Sequence, residues 1–403
     1  MHSTPGAQAR VRIAVLNSHP IQYFAPLYAY LNTDPCLEVT ALYCSDFSLR
    51  AGFDPGFKRP VTWDVDLLEG YTHRFLGKRA RTRTPAGFWS LICPEVWREI
   101  RSGRYDALIL HGYQYAASVL AFLAAKSRRL PVFMRSETHL GLRRAAWKLR
   151  LRDAVLSVAY RFVDGFLAVG SANREYYRSL GIPEDRIRLV PYAVDNARFM
   201  DASRLPPDAR SAVRRRLGLG EEQPVVLYAS KLTRRKHPED LVKAMKRLAV
   251  DGVRASLLLV GTGDLEEELR SLVASLDVPD VVFGGFVNQS ELPAVLAASD
   301  VLVLPSENEP WGLVVNEGMC AGLAVVVADG VGCAPDLVHE GVNGSLVKTG
   351  DVDALARALR PILTESATRW SMGARSLEVI KGWGFERCRQ GVRGALGLAE
   401  GSA

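Results

Sequence analysis

The sequence predicts an α/β protein built on open, parallel β-sheets. Short apolar runs rich in β-branched residues, such as 301–304 (VLVL) and 324–328 (AVVVA), have the length and composition of buried parallel strands. Between them Pro310 and Gly312 mark the start of a helix, and Gly322 marks its end. Because the chain has 403 residues, we expect two domains of ordinary size, each with its own core.

The composition predicts a soluble globular protein with reduced thiols. Charged residues make up 24% of the chain, which is ordinary for a folded soluble domain. The six cysteines lack any Cys-x-x-Cys spacing, so we expect neither a zinc site nor a disulfide framework. No apolar run has the length of a signal peptide core or of a membrane span. We therefore expect a cytoplasmic protein, or one on the cytoplasmic face of the membrane.

Positive charge is concentrated in the N-terminal half. Residues 1–198 hold 28 Lys and Arg against 17 Asp and Glu, whereas residues 199–403 hold 23 against 27. Segment 143–152 is a basic, amphipathic stretch with Trp147 among its arginines. It could contact an anionic membrane surface, or it could be a solvated arginine face packed on the core. We expect no nucleic-acid partner.

Apolar periodicity and turn residues place the regular elements of the N-terminal half. Its predicted strands are 12–17, 37–43, 107–110, 132–135 and 165–169, and its predicted helices end near Leu31 and cover 173–180. Segment 187–191 then leads out of the first domain. Segment 45–85 has little periodic pattern, and such stretches often recognise substrates. Within it, the alternation over 61–68 predicts an edge strand.

The C-terminal half repeats the alternation of strands and helices. Its predicted strands are 225–230, 257–260, 281–286, 301–304 and 324–328, and its predicted helices are 208–217, 292–298, 313–321, 351–363 and 383–398. In such sheets ligands bind at the carboxyl ends of the strands. The loops after 225–230 and 301–304 are therefore the first places to look for a site.

The loop and helix that follow strand 301–304 carry residues suited to a phosphorylated sugar. The backbone N–H groups of Gly312, Leu313 and Val314 lie at a helix N-terminus, which favours an anion. Glu317, one turn further on, could bind the two hydroxyls of a ribose, and Glu309 would face another part of the ligand. The alternative is that both glutamates are solvated charges at the ends of a helix.

Residues 306–329, SENEPWGLVVNEGMCAGLAVVVAD, closely resemble the signature of the family-4 retaining glycosyltransferases of the GT-B fold. In that signature two glutamates, here Glu309 and Glu317, are separated by seven residues that include an aromatic residue and a glycine. The resemblance implies two Rossmann-like doubly wound domains that face a central cleft. It also implies that Glu309 binds the donor sugar, that the amides after Trp311 hold the diphosphate, and that Glu317 holds the ribose.

Three further segments of the C-terminal half are similar to this family. Lys231 and Lys236 occupy its two basic positions, although the family more often has arginine at the first. Gly261 begins its Gly-x-Gly turn, and the loop that starts at Phe286 commonly holds the nucleotide base. Arg234 and Arg235 match no family position, and we expect them to be plain surface residues.

The N-terminal half offers histidines and one carboxylate at predicted strand ends. His111 ends strand 107–110, and the resemblance implies a place in the donor-sugar pocket; a packed loop histidine is the alternative. His19, Glu137 and His139 are candidates for the acceptor side. Glu137 could instead pair with Arg135 as a structural ion pair.

The linker predicts where the domains divide. Residues 190–199 (VPYAVDNARF) resemble the family's interdomain linker, so we expect an acceptor-binding domain over 1–198 and a nucleotide-sugar-binding domain over 199–380. In GT-B proteins the last helix crosses back to the first domain, which is the role expected of 381–403.

The expected function is that of a retaining, metal-independent hexosyltransferase. A hexose or deoxyhexose would move from a UDP or GDP sugar to a hydroxyl of a glycan, a lipid-linked glycan or a small natural product. No cofactor is expected, because the nucleotide sugar is a substrate, and no metal, because the Asp64-x-Asp66 match lies in the predicted edge strand. Two alternatives stay open: a nucleotide-sugar 2-epimerase of the same fold, and a sugar-nucleotide-binding protein without catalysis.

Overall fold

The computed structural model describes residues 10–399 apart from 51, 55, 78–84, 86 and 142–145, and it leaves out the side chains of 146–151. The strands are β1 (Val11–Asn17), β2 (Leu37–Tyr43), β3 (Gly52–Asp54), β4 (Arg59–Val61), β5 (Thr72–Phe75), β6 (Ala107–His111), β7 (Val132–Arg135), β8 (Gly165–Ala168), β9 (Ile187–Leu189), β10 (Val225–Ala229), β11 (Ser256–Val260), β12 (Val281–Gly285), β13 (Val301–Leu304), β14 (Ala324–Ala328) and β15 (Gly344–Val347).

Helices follow most of these strands. They are α1 (Ala25–Leu31), α2 (Glu95–Arg101), α3 (Ala116–Lys126), α4 (Ala146–Ala159), α5 (Ser171–Ser179), α6 (Asn196–Ala202), α7 (Pro207–Arg216), α8 (Pro238–Val250), α9 (Glu266–Leu276), α10 (Leu292–Ala297), α11 (Leu313–Cys320), α12 (Ala334–Leu337), α13 (Val352–Thr364), α14 (Ser366–Lys381) and α15 (Phe385–Ala395). None of these described helices combines the length and hydrophobicity needed to cross a membrane.

Two parallel sheets confirm the predicted α/β class. The first has the strand order β5-β2-β1-β6-β7-β8-β9, and the second has the order β12-β11-β10-β13-β14-β15. In each sheet the strand order reverses direction beside the first strand, at β1 with β6 and at β10 with β13. A crevice forms at such a point, and ligands of open α/β sheets bind there.

Strands β13 and β14 show why the apolar runs form the centre of the second sheet. Every residue of both strands is buried, and they pair in parallel from Val301 with Ala324 to Leu304 with Val327. Helix α11 can lie directly on them because Gly318 faces Leu302, where a Cβ atom would come within 2.8 Å of the leucine side chain. The helix tip is thereby fixed relative to the ends of the strands.

The predicted edge strand over 61–68 is wrong. Only Arg59–Val61 forms a strand, and it pairs antiparallel with β3 instead of joining either large sheet. The Asp66 carboxylate accepts a hydrogen bond from the Leu68 N–H at 2.8 Å, and Asp64 accepts one from Ser290 N–H at 3.0 Å in the second half. The alternating polarity of this segment therefore arises from turns that aspartate side chains stabilise and from contacts with the second half. It does not arise from pairing in a β-sheet.

Helix α15 returns to the first half. It packs against β8 and β9, and its Arg393 donates to both oxygens of the buried Asp34 at 2.9 Å. Tyr30 of α1 donates to Glu386 at 2.8 Å. The chain thus passes from the first sheet to the second after β9 and comes back after α14.

Candidate active site

A cleft of about 400 Å³ lies at the carboxyl ends of β10, β11 and β13, between the two halves. We call it the main cleft. It brings together all the site residues predicted in the second half, because their loops follow neighbouring strands. Those residues are Lys231, Lys236, Gly261, Phe286, Glu309, Gly312, Leu313, Val314 and Glu317.

The tip of α11 forms an anion site in the wall of the main cleft. Gly312 has φ +97°, a backbone conformation that favours glycine, and a Cβ atom there would come within 2.9 Å of Leu304. The first bond of the helix runs from Val315 N–H to the Gly312 carbonyl at 2.9 Å, and no side chain caps the helix. The N–H groups of Leu313 and Val314 therefore remain outside the helix bonding pattern, as an anion site requires.

Backbone pairing holds the loop before α11 in place. Glu309 N–H donates to the Gly330 carbonyl at 3.0 Å, and Gly332 N–H donates to the Glu309 carbonyl at 2.9 Å. At Gly332 only a glycine fits, because a Cβ atom would lie 2.1 Å from the Pro310 carbonyl oxygen. The His139 Nε2–H, from the first half, donates to the same Glu309 carbonyl at 3.1 Å.

Trp311 and Asn316 connect this loop to the linker between the halves. The Trp311 indole N–H donates to Asn316 Oδ1 at 2.9 Å, and Asn316 Nδ2 donates to the Tyr192 carbonyl at 3.1 Å. Trp311 is buried and stacks on the Tyr192 ring, with their centroids 6.4 Å apart. The aromatic residue of the motif is therefore a packing residue that fixes the loop.

Lys236 and Glu309 form an ion pair within the main cleft, and Lys236 is buried. Burial, followed by repulsion from the charges of Arg235 and Lys231, lowers the pKa of the Lys236 amine to about 7. Contact with the Glu309 carboxylate opposes this change and favours the charged amine. An arriving polyanion would do the same.

Arg235 is exposed, as the sequence predicts, but it also belongs to the edge of the site. It lines the main cleft, and its carbonyl accepts a hydrogen bond from Glu307 N–H at 3.0 Å, so its loop is tied to the loop before α11. Arg234 does face outward, where it pairs with Glu268. A short 3₁₀ turn over Arg234–Lys236 sends successive side chains in different directions, which spacing alone did not indicate.

Lys231 reaches across the cleft to the first half. Its loop is packed against the Gly261 turn, where a Cβ atom would lie 2.0 Å from the Ser230 carbonyl oxygen. The Lys231 amine contacts the two Asp54 carboxylate oxygens at 2.9 and 3.1 Å and lies 4.4 Å from the centre of the Phe57 ring. Burial by itself would raise the pKa of Asp54, but contact with Lys231 holds it below its ordinary value.

Glu317 is fully buried on α11 and faces the main cleft. Burial raises the pKa of its carboxyl group to about 8, while the neighbouring Tyr23 hydroxyl and Arg198 guanidinium oppose the shift. Its Oε1 atom has no hydrogen-bond partner among the described residues. A ligand with a hydroxyl group at this position would supply the missing hydrogen bond.

A second cleft of about 500 Å³, which we call the side cleft, adjoins the main cleft at the carboxyl ends of β1, β6 and β7. Glu137 and Pro310 line both clefts, and His19 and His111 line only the side cleft. Burial lowers the pKa of His19 to about 4. Burial and the charge of Arg135 lower the pKa of His111 as well, so both imidazoles are neutral at pH 7.

His111 does not line the main cleft, where the sequence expectation placed it. Its ring packs under α1, 4.3 Å from the Phe24 ring centre, and its Nε2 is 2.9 Å from the Tyr28 hydroxyl. Asn17 donates to the same hydroxyl at 2.5 Å. The side chain is held within the first half because β6 ends beneath α1.

Two further expectations concern Glu137, whose alternative role was an ion pair with Arg135, and His139, which was a candidate for the acceptor side. Arg135 and Glu137, both described, are not paired: Glu137 accepts a hydrogen bond from the Tyr192 hydroxyl at 2.8 Å, and Arg135 lies against the Phe24 and Tyr192 rings. Burial raises the pKa of Glu137. His139 lines neither cleft; its hydrogen bond to the Glu309 carbonyl instead stabilises the loop that carries Glu309.

Several residues of the main cleft were not predicted from the sequence. Asp54, Phe57 and Trp63 come from the segment without periodic pattern, and Tyr23 and Tyr192 come from loops of the first half. The aromatic residues of 53–63 in a polar context were the available signal. Within the described part of the chain, no group of three or more His, Cys, Asp and Glu side chains is arranged to hold a metal ion.

The basic segment 143–152 lies mostly outside the described residues and side chains. Its Arg152 is described, and it pairs with Asp153 at 2.6 Å and lies 5.5 Å from the Tyr176 ring centre. The predicted membrane contact of this segment stays a prediction.

Two family models match most of the chain. Residues 209–378 match the model described as glycosyl transferases group 1, and residues 39–193 match the model described as glycosyl transferase 4-like domain. The two matches fall on the second and first sheets respectively. They agree with the resemblance in the sequence and with the order of the two halves.

Curated relatives are glycosyltransferases by name. A D-inositol 3-phosphate glycosyltransferase of Streptomyces avermitilis is 31% identical over 72% of this chain and 65% of its own length. The sulfoquinovosyl transferase of Arabidopsis thaliana is 28% identical over 82% and 65%, and an uncharacterised glycosyltransferase of Methanocaldococcus jannaschii is 31% identical over 48% and 49%. The chain thus spans about half to two thirds of the length of these relatives.

Solved structures share the fold over nearly the whole chain. Anabaena HepE, crystallised with UDP and glucose, superposes with a TM-score of 0.72 at 19% identity and covers 96% of this chain and 100% of its own. Sucrose-phosphate synthase of Thermosynechococcus elongatus gives 0.68 at 20% identity, with 94% and 97% covered. The fold is therefore GT-B, with two Rossmann-like halves.

The buried carboxyl group of Glu317 should make stability depend on pH. Its folded pKa of about 8 lies above the ordinary 4.5, so the free energy of unfolding falls as the pH rises from about 4.5 to about 8 and then levels off. Glu317→Gln cannot ionise, and its melting temperature should exceed that of the wild type by a margin that grows over this range. Calorimetry at several pH values measures the margin. Glu378→Gln, at an exposed position, is the control, and a margin independent of pH would contradict the assignment.

Proposed function

Because this chain belongs to the glycosyl transferases group 1 family, we propose that it transfers a glycosyl group from a nucleoside-diphosphate sugar to a hydroxyl acceptor. One observation carries the proposal: a helix tip, two lysines and two glutamates converge in the main cleft. Each of these groups suits a different part of such a donor. The cleft opens beside a second one, where an acceptor could lie.

In the proposed complex the diphosphate lies at the tip of α11. The N–H groups of Leu313 and Val314 bind its oxygens, and the amines of Lys231 and Lys236 balance its charge. At a separation of about 4 Å and an effective dielectric constant of 20, each cation could contribute up to about 4 kcal/mol before desolvation. The lysines therefore stabilise the departing diphosphate, which is the charge that develops in the transition state.

The two glutamates orient the ends of the donor. Glu317 accepts from the ribose hydroxyls through Oε1, which has no hydrogen-bond partner among the described residues. Glu309 binds sugar hydroxyls once the diphosphate takes over the contact with Lys236. Phe286, which also lines the main cleft, would contact the base.

We propose that the reaction retains the anomeric configuration and needs no metal ion. The acceptor hydroxyl would approach from the side cleft, on the same face as the leaving diphosphate. A phosphate oxygen of the donor would take the acceptor proton, while lysines and helix amides supply the positive charge that a metal ion supplies elsewhere. Glu137 lines both clefts and would hydrogen-bond the acceptor.

Named relatives and neighbours support UDP or GDP as the donor nucleotide. Anabaena HepE was crystallised with UDP and glucose, and a relative in Mycobacterium tuberculosis is described as a GDP-mannose-dependent mannosyltransferase. A hexose or deoxyhexose is the proposed sugar. The acceptor would be a glycan, a lipid-linked glycan or a small natural product.

A product analysis tests the reaction and its stereochemistry. Melting temperatures measured with UDP and GDP should identify the base through a nucleotide-dependent increase. Incubation of the matching nucleotide sugar with a panel of hydroxyl acceptors should then give a glycoside whose first-formed anomer, observed by NMR, matches the donor. Isomerised sugar formed without an acceptor would instead indicate an epimerase, and nucleotide binding without turnover would indicate a binding protein.

Removing one buried cation should affect catalysis more than folding. Lys236→Ala should lower kcat roughly 100-fold or more, since it removes a charge that stabilises the leaving group. Lys243→Ala changes a half-exposed lysine on α8 and serves as the matched control. Steady-state kinetics of both variants provide the comparison, and a near-normal rate for Lys236→Ala would count against the proposed role.

We also propose that the first half contacts an anionic membrane near the basic segment 143–152. Exposed apolar side chains on the described residues that follow support this: Val155, Val158 and Phe162 are each more than half exposed. Vesicles containing phosphatidylglycerol should sediment the protein, whereas neutral phosphatidylcholine vesicles should not. Val158→Ser with Phe162→Ser should weaken sedimentation, and equal binding to both vesicle types would contradict the proposal.

A further inference from the structure

A segment of the first half crosses the mouth of the main cleft. It comprises residues 52–54 and 56–64, and we call it the strap. Several hydrogen bonds fix it to the second half, among them those from Thr262 Oγ1 to the Phe57 carbonyl at 2.8 Å, from Asn288 Nδ2 to the Thr62 carbonyl at 2.8 Å, and from Ser290 N–H to Asp64 at 3.0 Å. These three bonds come from the loops that follow β11 and β12, and the loop that follows β10 contacts the strap through Lys231.

Aromatic side chains gather beneath the strap. Phe57 and Trp63 of the strap lie with their ring centres 5.1 and 6.3 Å from that of Phe286, and all three residues line the main cleft. Each is only partly buried, so each leaves some ring surface open to a ligand. Arg59 lies over the Phe286 ring at 4.8 Å and supports it from the other half of the molecule.

Asp54 of the strap forms an ion pair with Lys231, a cation that the donor diphosphate would need. Its carboxylate binds the Lys231 amine through both oxygens, in the manner that a phosphate group would. Lys231 and Asp54 are both partly exposed, with side chains 31% and 25% accessible, so a ligand in the cleft can reach the pair. A diphosphate carries more negative charge than one carboxylate and can replace it.

We propose that the strap completes the nucleotide subsite of the main cleft: Phe57 and Trp63 form, with Phe286, the surface on which the base stacks, and Asp54 yields Lys231 to the diphosphate. This inference rests on the proposed function, because it takes a nucleoside diphosphate as the ligand. The physical basis is that a planar base stacks on any open aromatic face, independently of its hydrogen bonds. The first half would then contribute to donor binding as well as to acceptor binding.

The experiment separates stacking from phosphate binding by using two probes. Isothermal titration calorimetry with UDP and GDP reports on base and phosphate together, and titration with inorganic pyrophosphate reports on the phosphate site alone. Trp63→Ala should weaken binding of the preferred nucleotide roughly tenfold and leave pyrophosphate binding within twofold of the wild type. Trp63→Phe should retain most of the nucleotide affinity.

Asp54→Asn should act in the opposite direction. Removal of the competing carboxylate should strengthen binding of both the nucleotide and pyrophosphate by roughly threefold or more. Trp370→Ala, an exposed tryptophan on α14, and Asp66→Asn, outside the strap, are the matched controls and should change neither affinity.

Different outcomes identify which proposal fails. Unchanged nucleotide affinity in Trp63→Ala, or an equal loss for nucleotide and pyrophosphate, would overturn the base subsite. Unchanged or weaker pyrophosphate binding in Asp54→Asn would overturn the exchange at Lys231. If the wild type bound neither UDP, GDP nor pyrophosphate, the proposed function itself would fail.

Discussion

The ion pair between the buried Lys236 and the partly buried Glu309 is the interaction around which the site is organised. Taking two opposite charges out of water costs free energy that their mutual attraction offsets only when the surrounding structure fixes their geometry. Hydrogen bonds hold both loops in place here. The Glu309 backbone is hydrogen-bonded to residues 330 and 332 and to His139, and the loop of Lys236 is hydrogen-bonded to Glu307. The pair holds both charges in the cleft before a ligand arrives, so that neither has to be brought there later.

The two sheets explain why the main cleft and the side cleft lie next to each other. Each sheet opens a crevice where its strand order reverses, and the two crevices face each other across Glu137 and Pro310. The second half supplies the lysines and helix amides together with Glu309 and Glu317, whereas loops from the first half supply neutral histidines and most of the aromatic rings. The difference in chemistry between the two walls suits a donor on one side and a neutral hydroxyl on the other.

Short sequence patterns predicted the elements whose conformation depends mainly on neighbouring residues. The buried strands, the helix start at Gly312 and the lysines after β10 all follow from short patterns, and the structure places them in one cleft. Contacts between distant segments were not predictable in this way. His139 and Arg235 are positioned by hydrogen bonds to the loop before α11. The conformation of 61–68 depends on contacts with the second half, so the polarity pattern of this segment predicted the wrong secondary structure.

The return of α15 to the first half limits how the molecule can move. The chain passes between the halves twice, and Asn196 of one passage donates to the Ile380 carbonyl beside the other at 2.8 Å. Two adjacent passages joined by a hydrogen bond form a hinge. The halves can rotate about the line of the hinge, and the hinge restricts their sliding and twisting relative to each other. Any opening that admits a substrate must therefore be widest at the edge farthest from Asn196.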